Sequence, residues 1–466
     1  MLVKGFYSKK RIKKLYFYLL LIVLYKYVKM VKNVYGTDKV MKIKQFKVSY
    51  DDACAIKMPE HKEPNKPNIF FRTLLKIVSL PDLIATRFSY KKIDMEKAGK
   101  GPYLIFMNHS SFIDLEIAAS LFYPKPMCIV STFDSYVGKA WLMRRLGCIP
   151  TQKFVSDITL IKDMSYAIKE KKTSVLMYPE AGYTIDGRAT AIPKKMGILI
   201  KKLDVPVVYV KTEGAFARDP LYNGLQKRKV KVSAEVKCLL SKEEINKKSI
   251  AEIDAILDEA FSFDSFKWQK DNKIKIDEPF RADGLERILY KCAACGAEGK
   301  TEGKGVELIC HACGKKYALT AYGELEAENS NTEFSHIPDW YDWQRAEVRR
   351  ELEAGTYKLD TEVDIGILAD YKGIYMVGEG RLTHGENGFV LDGCDGKLHY
   401  EQSPLFSYSL NSDFFWYEIG DVISIGDKNR LYYLFPKQKN VVLKARLACE
   451  ELYKIRTPRK RTSENG

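Results

Sequence analysis

Tyr103-Leu104-Ile105-Phe106-Met107-Asn108-His109-Ser110-Ser111-Phe112-Ile113-Asp114 begins with five apolar or aromatic residues and turns polar at Asn108 to Ser111 before Phe112, Ile113 and Asp114. An uninterrupted apolar run of that length reads as a strand buried on both faces. Further along, Val175 to Tyr178 and Val205 to Lys211 repeat the signature, and Phe112 to Phe122 and Ile158 to Lys169 supply helices between the strands. Strands alternating with helices predict an α/β domain with a largely parallel sheet flanked by helices. Upstream, Phe70, Phe71, Leu74, Leu75, Ile77 and Val78 recur at helical spacing. They predict an amphipathic helix over Ile69 to Leu80, stopped by Pro81.

The whole chain has 466 residues, enough for about three folding units, and its 46% hydrophobic and 29% charged content suits packed cores. This composition argues against wholesale disorder and against a polytopic membrane protein. A formal net charge of +16 favours an anionic partner, phospholipid or nucleic acid. Most of the excess sits before Tyr50, where thirteen Lys or Arg face the single acid Asp38. Behind Lys9, Lys10, Arg11, Lys13 and Lys14 runs Leu15 to Tyr25, eleven apolar or aromatic residues. As a helix it reaches only about 16 Å, against a bilayer core of roughly 30 Å. The run therefore reads as a segment held at a membrane surface or dipping into one leaflet. No small-residue cleavage site follows it, so it does not read as a removed signal peptide.

Cys292, Cys295, Cys310 and Cys313 form two Cys-x-x-Cys pairs separated by fourteen residues, each pair followed by a glycine, Gly296 or Gly314. This is zinc-ribbon spacing, and four thiolates make a closed structural site. The other six cysteines are scattered singly and read as free thiols in a reducing compartment. Composition then divides the chain into a basic, membrane-associating arm (1–50), the α/β domain (51–262), a polar linker (263–287), the zinc ribbon (288–320), a linker and helix (321–362), a small mainly-β domain with a closing helix (363–456) and a basic tail (457–466). Short strands followed by a single helix suggest a pleckstrin-homology type of architecture for the β domain. Trp340, Tyr341 and Trp343 read as the packed face of a helix.

The chemistry lies where the first strand ends. His109 follows the apolar run directly, and Asp114 stands five residues later on the first turns of a helix. At this spacing the carboxylate can accept a hydrogen bond from one ring nitrogen and leave the other free to take a proton. This is a general base without a nucleophile of its own, suited to activating a substrate hydroxyl directly.

Four ordered blocks place the chain, over roughly Ile69 to Phe261, in resemblance to the lysophospholipid and glycerol-phosphate acyltransferase superfamily. The first is Asn108-His109 with Asp114. The second is Leu146-Gly147-Cys148-Ile149-Pro150-Thr151-Gln152-Lys153. The third is Met177-Tyr178-Pro179-Glu180-Ala181-Gly182-Tyr183-Thr184, followed by Asp186-Gly187-Arg188 and by Lys194, Lys195 and Gly197. The last is Val205-Pro206-Val207-Val208-Tyr209-Val210. The resemblance implies a glycerolipid-acyltransferase-like sheet and an O-acyltransferase of phospholipid biosynthesis. An acyl chain would move from a thioester of acyl carrier protein or coenzyme A to a lysophospholipid, 1-acyl-glycerol-3-phosphate foremost.

It also implies His109 and Asp114 as the catalytic pair, with Lys153, Glu180, Gly182, Arg188, Lys194 and Lys195 binding substrate and Glu180 ordering the loop. Two departures stand out: Ala181 replaces the family's usual Gly, and Tyr183 stands where the family commonly has an Arg that grips the acceptor's phosphate. A different hydroxylated lipid acceptor is therefore an alternative. A reaction on membrane lipid with a cytosolic donor places the protein on the cytoplasmic face of the cell membrane, held by an anionic leaflet. A zinc-ribbon nucleic-acid-binding protein is the rival from another class. Glu298, Glu302, Glu307, Glu324, Glu326 and Glu328 around the ribbon oppose it. A non-catalytic lipid-binding relative is a further rival.

Overall fold

The computed structural model describes residues 43–457 apart from Ser156. The basic arm before residue 43, with its Leu15 to Tyr25 run, and the tail from 458 lie outside the described residues. Strands in chain order are β1 (Gln45–Lys47), β2 (Ser89–Ile93), β3 (Leu104–Met107), β4 (Met127–Thr132), β5 (Cys148–Thr151), β6 (Ser174–Met177), β7 (Val207–Glu213) and β8 (Ser233–Leu240) in the first part of the chain. β9 (Thr301–Lys304), β10 (Glu307–Cys310), β11 (Lys316–Leu319) and β12 (Leu325–Ala327) follow. The last set is β13 (Leu359–Ile367), β14 (Ile374–Gly385), β15 (Gly388–Gly393), β16 (Leu398–Gln402), β17 (Asn411–Trp416), β18 (Gly420–Gly426) and β19 (Leu431–Pro436).

All four residues of β3 are buried because the strand lies inside a sheet covered on both sides. Side chains alternate across a strand, so Leu104 and Phe106 enter a core with Met164, Ile168, Ile200 and Leu257. Ile105 and Met107 enter the opposite core with Ile113, Ile117, Phe122 and Val236. Burying each such side chain contributes about 1.5–3 kcal/mol. The seven strands run in the order β2-β8-β7-β3-β6-β4-β5. Every pairing is parallel except β7 with β8. The predicted α/β fold with a largely parallel sheet is what forms. β3 sits between β6 and β7, strands far away in sequence, so its carboxyl end opens at the kind of switch point where α/β sheets form clefts.

Helix Ile113–Phe122 begins directly after the His109 turn, and helix Ile158–Lys169 covers the other face. The upstream helix runs Ile69–Ala85, and Pro81 lies inside it rather than ending it. Proline removes one donor and leaves its own φ helical. The chain needs the further turn because Leu83 is buried there.

Beyond the sheet, β9 to β12 form an antiparallel sheet in the order β12-β11-β10-β9. The stretch read as a polar linker is structured: it holds helix Ser265–Asp271 and buries Ile276, Ala282 and Leu285. Its apolar residues are few but regularly placed, which a composition reading averages away. β13 to β19 form an antiparallel sheet, order β16-β15-β14-β13-β19-β18-β17, closed by helix Val442–Arg456. β1, from the segment assigned to the basic arm, joins it in parallel beside β14. Helix Ile337–Glu353 buries Trp340 and Tyr341. One apolar core joins Phe216 and Tyr222 of the first region to Leu308 and Tyr317 of the ribbon and to Trp340, Ile365 and Leu434.

Candidate active site

The polypeptide leaves β3 at Met107, and the next seven residues fold back on one carboxylate. Oδ2 of Asp114 accepts from the backbone N–H of Ser110 at 2.6 Å and of Ser111 at 3.0 Å, and stands 3.2 Å from Nδ1 of His109. A carboxylate only accepts, so Nδ1 carries the proton and Nε2 is left as the basic nitrogen. Asp114 is fully buried, while the His109 side chain is 21% exposed. Thr212 on β7 lies behind the pair: its N–H donates to Oδ1 of Asn108 at 2.7 Å, and its hydroxyl is 3.4 Å from Oδ1 of Asp114. Asn108 returns a bond to the Thr212 carbonyl. This clamp spans 104 positions, so nothing local in the sequence reveals Thr212.

Burial lowers the pKa of His109, Asp114 acts to raise it, and the Lys153 charge lowers it further. The net effect keeps the ring neutral at physiological pH. Its face is covered by Tyr178, stacked at 3.9 Å between centroids, and Tyr183 lies at 4.4 Å. The departure at position 183 thus puts an aromatic ring on the imidazole.

Glu180, fully buried just past β6, accepts from the His109 N–H at 3.0 Å and from the Thr190 N–H at 2.7 Å. Burial pushes its pKa up to about 8, against the pull of those two donors. It ties the histidine turn to the loop that follows β6 and is no free base. Ala181 holds φ at +57°, the left-handed region where a glycine is unstrained. Gly182 lies beside Lys153, since a Cβ at that glycine would sit 3.9 Å from the ammonium nitrogen.

Of the predicted substrate-binding residues, Lys153, Glu180 and Gly182 gather around His109. Arg188 does not present a free guanidinium. It makes a bidentate pair with Asp342, at 2.6 and 2.7 Å, and bonds Asp186 at 2.7 Å. Sequence spacing could not foresee Asp342, which arrives from helix Ile337–Glu353. Lys194 and Lys195 are exposed at the start of helix Met196–Leu203, in the solvated setting usual for lysines.

The four ribbon cysteines bring their sulfurs within 4.8 Å of one another. Cys292 and Cys313 are 3.9 Å apart, Cys295 and Cys310 3.7 Å. A tetrahedral zinc with bonds of about 2.3 Å spaces its sulfurs about 3.8 Å apart, so the set fits that ion. Gly296 and Gly314 turn the two knuckles at φ of +74° and +75°. His311 bonds Glu302 at 2.7 Å.

Residues 87–211 match the acyltransferase family model. The chain is similar to the crystal structure of the 1-acyl-sn-glycerophosphate acyltransferase PlsC from Thermotoga maritima, at 15% identity, with 53% of this chain and 95% of that one covered and a TM-score of 0.29. No curated protein matches the chain in sequence. The matched stretch holds the His109 turn, Lys153 and the Glu180 loop, and the chain therefore carries a domain of the acyltransferase family.

Proposed function

We propose that the chain moves an acyl group from a thioester, of acyl carrier protein or coenzyme A, to the hydroxyl of a monoacyl glycerolipid. The resemblance names 1-acyl-glycerol-3-phosphate, giving phosphatidate, as the reference acceptor. One observation carries the reading: a neutral, partly exposed imidazole whose Nδ1 is held 3.2 Å from a buried carboxylate at the carboxyl end of a central strand in a largely parallel sheet. Nε2 of His109 takes the acceptor's O–H proton while the oxygen attacks the thioester carbonyl. The new O–C bond forms, the C–S bond breaks, and His109 returns the proton to the departing sulfur. No acyl-enzyme is needed. Glu180 positions the turn, and Lys153 supplies positive charge beside it.

Placement at the cytoplasmic face of a membrane belongs to the same proposal. The +12 of the N-terminal arm supports it, since each basic residue near an anionic leaflet is worth about 1 kcal/mol. Exposed Ile69, Phe70, Ile84 and Trp141 support surface contact as well. Among the described residues no helix is long and apolar enough to cross a membrane. In the ribbon we propose zinc, held by Cys292, Cys295, Cys310 and Cys313 in a structural role.

The test is acyl transfer to monoacyl glycerolipids by purified protein. His109→Ala should lower kcat by about 10²–10⁴ without loss of fold. Near-normal turnover in that variant refutes the assignment.

A further inference from the structure

The two cations that the resemblance assigns to the acceptor's headgroup, Arg188 and Lys153, each face a carboxylate from the C-terminal part of the chain, Asp342 in a bidentate pair and Asp413 across a shared cavity. Arg188 is gripped by Asp342 through two hydrogen bonds, in the planar geometry that a phosphate would otherwise use, while Asp186 takes its Nε. Lys153 shares a cavity with Asp413 of β17, together with Asn411, Trp416 and Tyr433. That cavity offers about 10 Å³, room for roughly one water and none for a phosphate. The fit is held shut from both sides. The Trp416 indole N–H donates to Asp134 at 3.1 Å, and the Tyr417 hydroxyl donates to the Asp134 carbonyl at 3.2 Å. Tyr408 also meets Phe154 edge-on at 5.4 Å, next to Lys153. Burial raises the Asp413 pKa, and with the Lys153 charge pulling against it the net is about 6. Counting Lys153 and Arg188 against Asp413, Asp342 and Asp186, the cations are outnumbered by carboxylates. A dianionic headgroup entering here meets Arg188 already engaged by two carboxylates and Lys153 facing a third, so little cationic charge is left to offset its desolvation.

We infer, resting on the acyl-transfer reading and changing only the headgroup, that the acceptor is a hydroxylated lipid whose headgroup carries no net charge. The C-terminal region sets this selectivity by delivering Asp342 and Asp413 to Arg188 and Lys153. Neither aspartate touches the reacting atoms; both act on acceptor choice through a cation, Asp342 by gripping Arg188 and Asp413 by facing Lys153 across their cavity.

The full-length protein, given palmitoyl-CoA or palmitoyl acyl carrier protein, is assayed on three acceptors in the same neutral detergent micelles: a neutral monoacylglycerol, zwitterionic lysophosphatidylcholine and lysophosphatidate. Wild type should show kcat/KM for at least one uncharged or zwitterionic acceptor about tenfold or more above that for lysophosphatidate. In the double variant Asp342→Asn with Asp413→Asn, the ratio should move toward lysophosphatidate by about tenfold. The ranking between the first two acceptors separates a neutral from a zwitterionic source. A wild-type preference for lysophosphatidate that His109→Ala abolishes overturns this inference and leaves the acyl-transfer reading standing. An unchanged ratio in a folded double variant overturns the role given to the two aspartates. No His109-dependent transfer to any acceptor overturns both the reading and the inference built on it.

Discussion

Three donors converge on one oxygen of Asp114, and two of them are backbone N–H groups of the turn itself, so the orientation of His109 is built into the local fold. The sequence made this pair legible because its parts are close neighbours and the turn follows directly from an apolar strand. It did not make Thr212 or the rings of Tyr178 and Tyr183 legible as partners of the pair, because those contacts exist only once distant strands align. Arg188 teaches the same lesson in reverse: a basic residue near the site is only a free charge if no carboxylate folds onto it. Ala181 offers a test at this scale. A Cβ at φ of +57° is strained by about 1 kcal/mol. Ala181→Gly should therefore raise the melting temperature or leave it unchanged, and retain activity. A thermal melt showing a clear loss of stability contradicts the strain.

Among the elements, three neighbouring strands each contribute one support: β3 leads into His109, β6 leads into Glu180, and β7 carries Thr212. Strand and helix identities were readable because buried strands and amphipathic helices have different apolar periods. The end of helix Ile69–Ala85 was not, since a proline breaks one hydrogen bond but packing of Leu83 decides whether the helix continues. Glu180 links the β3 and β6 turns through two backbone N–H groups. In Glu180→Gln the amide NH₂ must face one of those donors, so one bond is lost. We expect kcat to fall by about 10–10² through misplacement of the histidine turn. KM for the acceptor should change less. Steady-state kinetics check this, and a selective rise in KM with kcat intact contradicts the positioning role.

Across the whole molecule, the ribbon and the C-terminal sheet are not appended passengers. Leu308, Tyr317 and Leu319 of the ribbon share a core with Phe216, Trp340 and Leu434, and the Trp340 indole N–H donates to the Lys291 carbonyl at 2.9 Å, one residue before Cys292. Composition and spacing announced the ribbon but not this continuity, because long-range packing leaves no periodic trace. Metal binding couples to folding, so loss of the ion should be felt outside the ribbon. Metal analysis should find about one zinc per chain. Chelation or Cys292→Ser should lower the melting temperature of the chain as a whole and reduce activity with it. A metal-free protein of unchanged melting temperature contradicts a structural site.

The pH dependence of kcat/KM tests the central claim most directly. His109 must be unprotonated to act, and burial lowers its pKa more than Asp114 raises it. The rate should therefore stay level through neutrality and fall only as the pH drops below about 6.5. Asp114→Asn removes an influence that raises the pKa, so the acid limb should move lower still, on a rate reduced by about 10²–10⁴. An acid limb above about 6.5, or one that persists unchanged in His109→Ala, contradicts the assignment of the imidazole as the base.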